Sequence, residues 1–398
     1  MRFASVAALL PLALASPMAD RSEPAPLYLH ETETAIVARG GSDKFIIKFK
    51  AGSPAAILEQ TIERIKGGEV IHRFQNNLLG FTARLDRPTV EILRWIPGVE
   101  YIEQDTTGAS TGYKTADGAP WGLGRISHRS KGSDSYTYDE SGGKGVCVYV
   151  TDSGVDESHP EFEGRAHQIK SYIEDSDIDD LGHGTHCAGT IGSATYGVAK
   201  KVDIYGVKVI SKEDRFWYSD LIAAYDFIRN DAKGRDCPNG IVVSGSLGGG
   251  YSKSMNAAAN SMVEAGYFMA IAAGNDNEDV SNHSPGSASK VCTVGGTAAD
   301  DKRYSHSNYG PGVNINGPAV GVLSTLPNNK TAYYTGTSMA TPHIAGLAAY
   351  LAVLNGTKVT PSMCQTIINL ATKDKISNQV ANTVNLIAYN GNTLDDTQ

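Results

Sequence analysis

Beyond residue 118 the chain alternates short apolar runs with stretches of helical period. Gly145-Val146-Cys147-Val148-Tyr149-Val150, residues 202–209, Ile241-Val242-Val243 and Tyr267-Phe268-Met269-Ala270-Ile271 read as buried strands. Helices are predicted from about His183, over 218–228, over 252–264 and from Ser338 onward. Buried strands alternating with helices imply an α/β fold with a largely parallel sheet flanked by helices. The run after Ser338, Ile344-Ala345-Gly346-Leu347-Ala348-Ala349-Tyr350-Leu351, is apolar nearly all round, so its helix belongs inside the protein. Pro342 fits such a helix close to its start, where missing N–H donors cost nothing.

The first hundred residues have another rhythm. Lys44-Phe45-Ile46-Ile47-Lys48-Phe49 reads as a strand, and Ser53-Pro54 opens a helix carrying Leu58, Ile62 and Ile65. Two strands follow, the second at Gly80-Phe81-Thr82-Ala83-Arg84-Leu85. Pro88 then opens a second helix, and Val99-Glu100-Tyr101-Ile102-Glu103 forms a last strand. The order β-α-β-β-α-β predicts a small ferredoxin-like α+β domain over 44–105. Residues 16–43 read as a linker, 106–118 as a Thr/Gly/Ser/Ala-rich cleavable connection, and 119–398 as the main domain.

Met1-Arg2 before an apolar stretch, with Ala13-Leu14-Ala15 as a small-residue cleavage site, predicts a signal peptide over 1–15 and an exported, extracellular protein. No later stretch approaches the roughly 18 unbroken apolar residues of a membrane span. A net charge of -8 without a basic block argues against nucleic acid and anionic membranes as partners. Five cysteines, Cys147, Cys187, Cys237, Cys292 and Cys364, suggest two disulfides and one remaining thiol, with the pairing left open. Asn282, Asn329 and Asn355 head N-glycosylation sequons, the first weakened by Pro285.

Three stretches carry candidate chemistry. Asp152 ends the predicted strand Val148-Tyr149-Val150-Thr151, at the edge of a parallel sheet where ligands bind, although alone it reads equally as a turn residue. His183 opens a helix packed through small residues, and alone it reads as structural. His183 and His186 have a spacing seen in zinc sites, but without an evident third ligand no metal site is assigned. Ser338, in Gly336-Thr337-Ser338-Met339-Ala340-Thr341-Pro342-His343, sits at the positive end of the buried helix, and capping that helix is its alternative role.

Asp, His and Ser in that order form the set that nucleophilic acyl transfer needs. A serine hydroxyl is a poor nucleophile until a histidine takes its proton and later hands it to the leaving amine, and an aspartate fixes the imidazole tautomer. Asn275, after Ala272-Ala273-Gly274, supplies an amide for the oxyanion beside the Ser338 backbone N–H. A silent binding relative would not need this intact set. An α/β-hydrolase esterase would need a Gly-x-Ser-x-Gly elbow and the order Ser, Asp, His, and Ser338 has neither.

At these residues the chain resembles the subtilisin-like serine proteases, in particular the secreted proteinase K-like fungal branch. Asp152-Ser153-Gly154, His183-Gly184-Thr185-His186 and Gly336-Thr337-Ser338-Met339-Ala340 match the three catalytic blocks, joined by Ala119-Pro120-Trp121-Gly122-Leu123, Ser246-Leu247-Gly248-Gly249-Gly250, Ser307-Asn308-Tyr309-Gly310 and Val384-Asn385-Leu386. The resemblance spans roughly 116–390, and the small domain before it resembles the family's inhibitory propeptide. It implies a monomeric endopeptidase made as a zymogen that removes its own propeptide, with a preference for apolar or aromatic residues before the scissile bond. Ser246, Leu247 and Gly248 are implied as one substrate-binding edge, with Ala272 and Gly274 beside it. The other edge aligns with Asp214-Arg215-Phe216-Trp217-Tyr218, where the bulk of Trp217 and Tyr218 reshapes the outer subsites. The resemblance also implies Cys147–Cys237 and Cys292–Cys364 disulfides, leaving Cys187 beneath His183 as a packing residue. No cofactor is required. Calcium is possible, but the family's ligand positions are altered: Asn314, aided by the Val291 carbonyl, replaces a carboxylate, and Arg129 and Lys375 occupy the second site.

Overall fold

The computed structural model describes residues 22–29, 43–65, 68–76, 78–105 and 112–395. The signal-peptide region 1–15, most of the predicted 16–43 linker and residues 106–111 of the second connection lie outside these residues. The chain divides into two compact units, residues 1–110 and 111–398.

The first unit is a five-stranded sheet in the order Leu27–Tyr28, Val99–Gln104, Asp43–Phe49, Gly80–Leu85, Gly68–Phe74. Helices Ala55–Glu63 and Arg87–Arg94 complete the ferredoxin-like pattern. Alternation places Phe45, Ile47 and Phe49 in one core with Phe81, Ala83, Val99 and Ile102, closed by Leu58, Val90 and Leu93 from the helices. Asp86 caps the second helix by accepting the Thr89 N–H at 2.9 Å, with Pro88 in the first turn. The 16–43 linker reading needs correction here: Leu27–Tyr28 is a strand parallel to Ile102 and Glu103, too short to show a period in the sequence.

The second unit is built on a nine-stranded sheet, ordered Thr372–Lys373, Leu386–Ile387, Ile315–Pro318, Cys292–Thr297, Phe268–Ala272, Ile241–Gly245, Cys147–Asp152, Asp203–Lys208, Ala166–Ser171. All neighbours are parallel except the first pair. Cys147–Asp152 lies between Asp203–Lys208 and Ile241–Gly245, where chain order reverses, which is where ligands bind in open α/β sheets. Val148 and Val150 face the layer holding helices His183–Gly192 and Thr337–Leu354, whereas Cys147 and Tyr149 face helices Tyr218–Asp231 and Lys253–Glu264. Both faces are covered, which is why the strands read as continuous apolar runs.

The 106–118 connection also needs correction, because Tyr113–Asp117 is a strand antiparallel to Ser135–Asp139 in the second unit. Its exposed positions, Lys114, Thr115 and Asp117, are all polar, and Tyr113 and Ala116 are only half-buried, leaving no apolar run in the sequence. Helix Thr337–Leu354 is long and apolar enough to cross a membrane, but it is largely buried in the core of this unit. Pro342 lies inside that helix, not at its first turn. The missing Pro342 N–H frees the Ser338 carbonyl, which accepts instead from Ser246 Oγ at 2.8 Å and Cys187 Sγ at 3.5 Å.

Candidate active site

The end of the central strand and the start of the His183 helix meet because both carry glycine. A Cβ on Gly184 would lie 2.1 Å from the Gly154 carbonyl oxygen and 3.1 Å from Asp152 Cβ, so only glycine lets the helix come this close. His183 Nδ1 then donates to Asp152 Oδ1 at 2.7 Å. The same oxygen accepts the Ser153 N–H at 2.7 Å, and the Asp152 carboxylate is fully buried. Burial by itself would lower the His183 pKa. The adjacent Asp152 carboxylate, through charge and hydrogen bond, outweighs it and holds the imidazolium well above its usual range.

A second carboxylate, overlooked in the sequence as a functional residue, fixes this junction. Buried Asp179 accepts from Ser153 Oγ at 2.7 Å, Gly182 N at 2.8 Å, Leu181 N at 3.3 Å, and Thr185 N and Oγ1 at 2.8 and 2.6 Å. Ser153 Oγ in turn accepts the Gly184 N–H at 2.8 Å. Asp179 thus places a negative charge at the N-terminus of the His183 helix and ties it to the strand end. Lys208, buried on the neighbouring strand, donates to the Ser153 carbonyl at 2.7 Å and to Asp180 at 2.8 Å. An Asp four residues before a His is a signal the sequence contains, but its tie to Ser153 at the strand end is visible only in the fold.

Ser338 lines the same cleft as His183, a space of about 620 Å³. In this conformation its hydroxyl donates to the Ser246 carbonyl at 3.0 Å, so it must turn to reach the imidazole. Asn275 Oδ1 accepts the Thr337 N–H at 2.8 Å and the Thr337 hydroxyl at 3.0 Å. With the oxygen held, the Asn275 amide N–H groups are left as donors for an oxyanion beside Ser338. Thr337 is therefore the residue that orients the amide.

A pocket of about 220 Å³ opens beside Ser338, walled by Leu247, Gly248, Ala272 and Gly274 with Asp276 and His283. Across the cleft the structure brings Asp214, Ile210 and Phe216 to the wall. Trp217 stands 76% exposed, and the Tyr218 hydroxyl donates to the carbonyls of Gly250 and Ser284, so neither residue forms that wall. The family resemblance located the segment, but side-chain direction depended on the turn at Asp214, which has φ 57°.

His186 does not join His183. Its Nε2 engages the carbonyl oxygens of Val322 and Ala332 at 3.0 and 3.1 Å, its ring stacks on Tyr334, and burial lowers its pKa to about 4. The structure contains the disulfides Cys147–Cys237 and Cys292–Cys364, with Cys187 as a buried thiol. Burial raises the Cys187 pKa, which keeps it a neutral packing group. At the positions where the resemblance implies calcium, Asn314 Oδ1 accepts the Thr293 N–H at 2.7 Å, and the Arg129 guanidinium lies 4.0 Å over the Tyr389 ring and donates to the Leu370 carbonyl at 3.3 Å. Asn329, Asn355 and Asn282 are exposed, but Ser284 of the Asn282 sequon is buried.

Comparison with known proteins bears on the same residues. Residues 143–388 match the subtilase family of peptidases, and residues 44–108 match the peptidase inhibitor I9 family. A cuticle-degrading protease of Metarhizium anisopliae is 47% identical over 98% of this chain and its own full length. Proteinase R of Parengyodontium album is 49% identical, covering 98% of this chain and 99% of its own. The crystal structure of a cold adapted subtilisin-like serine proteinase superposes with a TM-score of 0.65 at 36% identity, covering 69% of this chain and 99% of that one. With the fold and the inhibitor-type first domain, these likenesses show that the chain belongs to the subtilase family as a proteinase K-like serine endopeptidase, a zymogen carrying its propeptide as intramolecular inhibitor.

Proposed function

We propose that Ser338 is the nucleophile of an acyl-enzyme mechanism, with His183 as general base and then general acid, Asp152 as its orienting carboxylate, and Asn275 with the Ser338 N–H as oxyanion donors. Ser338 Oγ adds to the peptide carbonyl as His183 takes its proton. The amine leaves with that proton, and water then releases the acyl group by the same route. The observation that carries this reading is the 2.7 Å His183–Asp152 hydrogen bond at the edge of the cleft that Ser338 lines. Ser246, Leu247 and Gly248 form the edge on which a substrate strand pairs, and the pocket beside Ser338 takes the side chain before the scissile bond, favouring apolar and aromatic residues.

The chemistry needs no cofactor. Asn314 has its oxygen engaged, and Arg129 brings a cation to the second family position, so neither set of residues fits a calcium ion. The enzyme acts outside the cell as a monomer: disulfides closing separations of 90 and 72 residues persist in an oxidising compartment, and exposed Asn329 and Asn355 accept glycans there. The test is the intact mass of the secreted wild type beside Ser338→Ala. Loss of the first unit from the wild type and its retention in the variant is the expected result. Identical trimming of both would assign processing to another protease, and trimming of neither would overturn self-activation.

A further inference from the structure

Lys208 is a fully buried cation that the acyl-transfer chemistry leaves without a task. It ends the strand Asp203–Lys208 in register with Asp152, so both side chains rise on the face that the His183 helix covers. Its ammonium donates to the Ser153 carbonyl at 2.7 Å and to Asp180 Oδ1 at 2.8 Å. Ser153 directly follows Asp152, and its N–H holds Asp152 Oδ1 at 2.7 Å. The N–H groups of Val209 and Ile210, next along the chain, donate to the Asp152 carbonyl at 2.8 and 3.2 Å. Asp180 stands three residues before His183. Burial would raise its pKa, but the Lys208 ammonium and the Ser176 hydroxyl outweigh it and hold the carboxyl below its usual range. Taking an ammonium out of water is costly, and a Met of similar length would fill the same space without that cost. The two groups that offset it, the Ser153 carbonyl and Asp180, both belong to the junction between Asp152 and His183.

We propose that Lys208 is a positioning residue for the catalytic pair, with Asp180 as its counterion: it fastens the strand end that carries Asp152 to the loop that leads into His183. The inference rests on the reading of Asp152 and His183 as the working pair. Asp179 grips Ser153 by its hydroxyl, whereas Asp180 grips it through Lys208 by its carbonyl. Acyl transfer depends on the Asp152–His183 contact keeping its length, and a displacement of about 1 Å can cost about 10²-fold in rate. The charges matter as well as the bonds. A cation without its counterion beside Asp152 disfavours the imidazolium that forms on His183 during the reaction, and Asp180 supplies that counterion. The titratable groups acting on His183 directly are Asp152, Cys187 and His186, with Asp214 across the cleft, and substitution at 180 or 208 alters none of them.

The experiment measures kcat, KM and the acid limb of kcat/KM on one peptide anilide for processed wild type, Asp180→Asn and Lys208→Met, with active enzyme counted by sulfonyl fluoride titration of Ser338. The expected result is a kcat lowered by about tenfold or more in Lys208→Met and by less in Asp180→Asn, with KM kept within about twofold. The acid limb is expected at lower pH in Asp180→Asn, where the Lys208 cation has lost its counterion, and at higher pH in Lys208→Met, where the Asp180 charge remains. A residue that only supported the fold would not move the two limbs apart. An unchanged kcat in both variants, or limbs that do not separate, overturns the inference. Where Lys208→Met fails to fold or to process, Asp180→Asn, at an exposed loop position, decides alone, and an acid limb at the wild-type pH overturns the inference. A wild type without activity on the anilide overturns the reading of the pair and the inference with it.

Discussion

With Asp152 and His183 as the proposed pair, their contact sets the pH at which the enzyme is expected to work. A general base acts when deprotonated, and the Asp152 carboxylate raises the His183 pKa above its usual 6.5, so activity is lost as pH falls through that raised value. The acid limb of kcat/KM is expected above pH 6.5, and a limb below it would contradict the assigned pair. Asn275→Ala is expected to lower kcat by about 10²–10³-fold with KM little changed, the usual loss for one oxyanion donor. Both groups were legible because acyl transfer requires their residue types at strand and helix ends. Asp179 was not, since its role exists only through donors from 153, 181, 182 and 185. Asp179→Ala leaves buried donors unmatched and is expected to cost about 3 kcal/mol or more in denaturant unfolding.

At the scale of elements, two helices bring their first turns to the strand ends, and each carries a buried histidine. His186 and His343 are both held neutral by burial, with pKa values lowered to about 4. Unfolded, each takes a proton near pH 6.5, so the unfolded state binds more protons between that pH and about 4. Stability therefore falls as pH drops through this window, by up to roughly 3 kcal/mol per histidine, and levels off below it. Urea titrations of Ser338→Ala, which removes self-digestion, read this directly. A flat profile between pH 6.5 and 4 would show that the two rings are not buried neutral. The main helices and central strands were legible from their periods. Short edge strands such as Leu27–Tyr28 were not, because a pair of residues carries no period.

For the whole molecule, processing and cross-linking decide what persists. Tyr113–Asp117 pairs along its whole length with Ser135–Asp139, so the mature enzyme is expected to keep it, and N-terminal sequencing should find the new terminus before Tyr113. A mature chain beginning after Asp117 would mean that the strand is dispensable. Cys292–Cys364 ties a central strand to the helix Met363–Leu370 across a separation of 72 residues. Replacing both cysteines is expected to remove about 4 kcal/mol on the chain-entropy account, read as a lower denaturation midpoint of the inactive variant.

The sequence by itself carried the fold class, the order Asp152, His183, Ser338, a candidate oxyanion amide and the division into two units, the first of which only the family resemblance marked as inhibitor-like. These depend on local periodicity and on residue types that chemistry demands at element ends. Only the tertiary structure decided that Thr337 orients Asn275, that Asp179 locks the strand to the helix, that Phe216 and not Trp217 walls the cleft, and that Lys208 reaches both Ser153 and Asp180. Each is a matter of side-chain direction or of contact between separate segments, and neither is encoded in the period of any one segment.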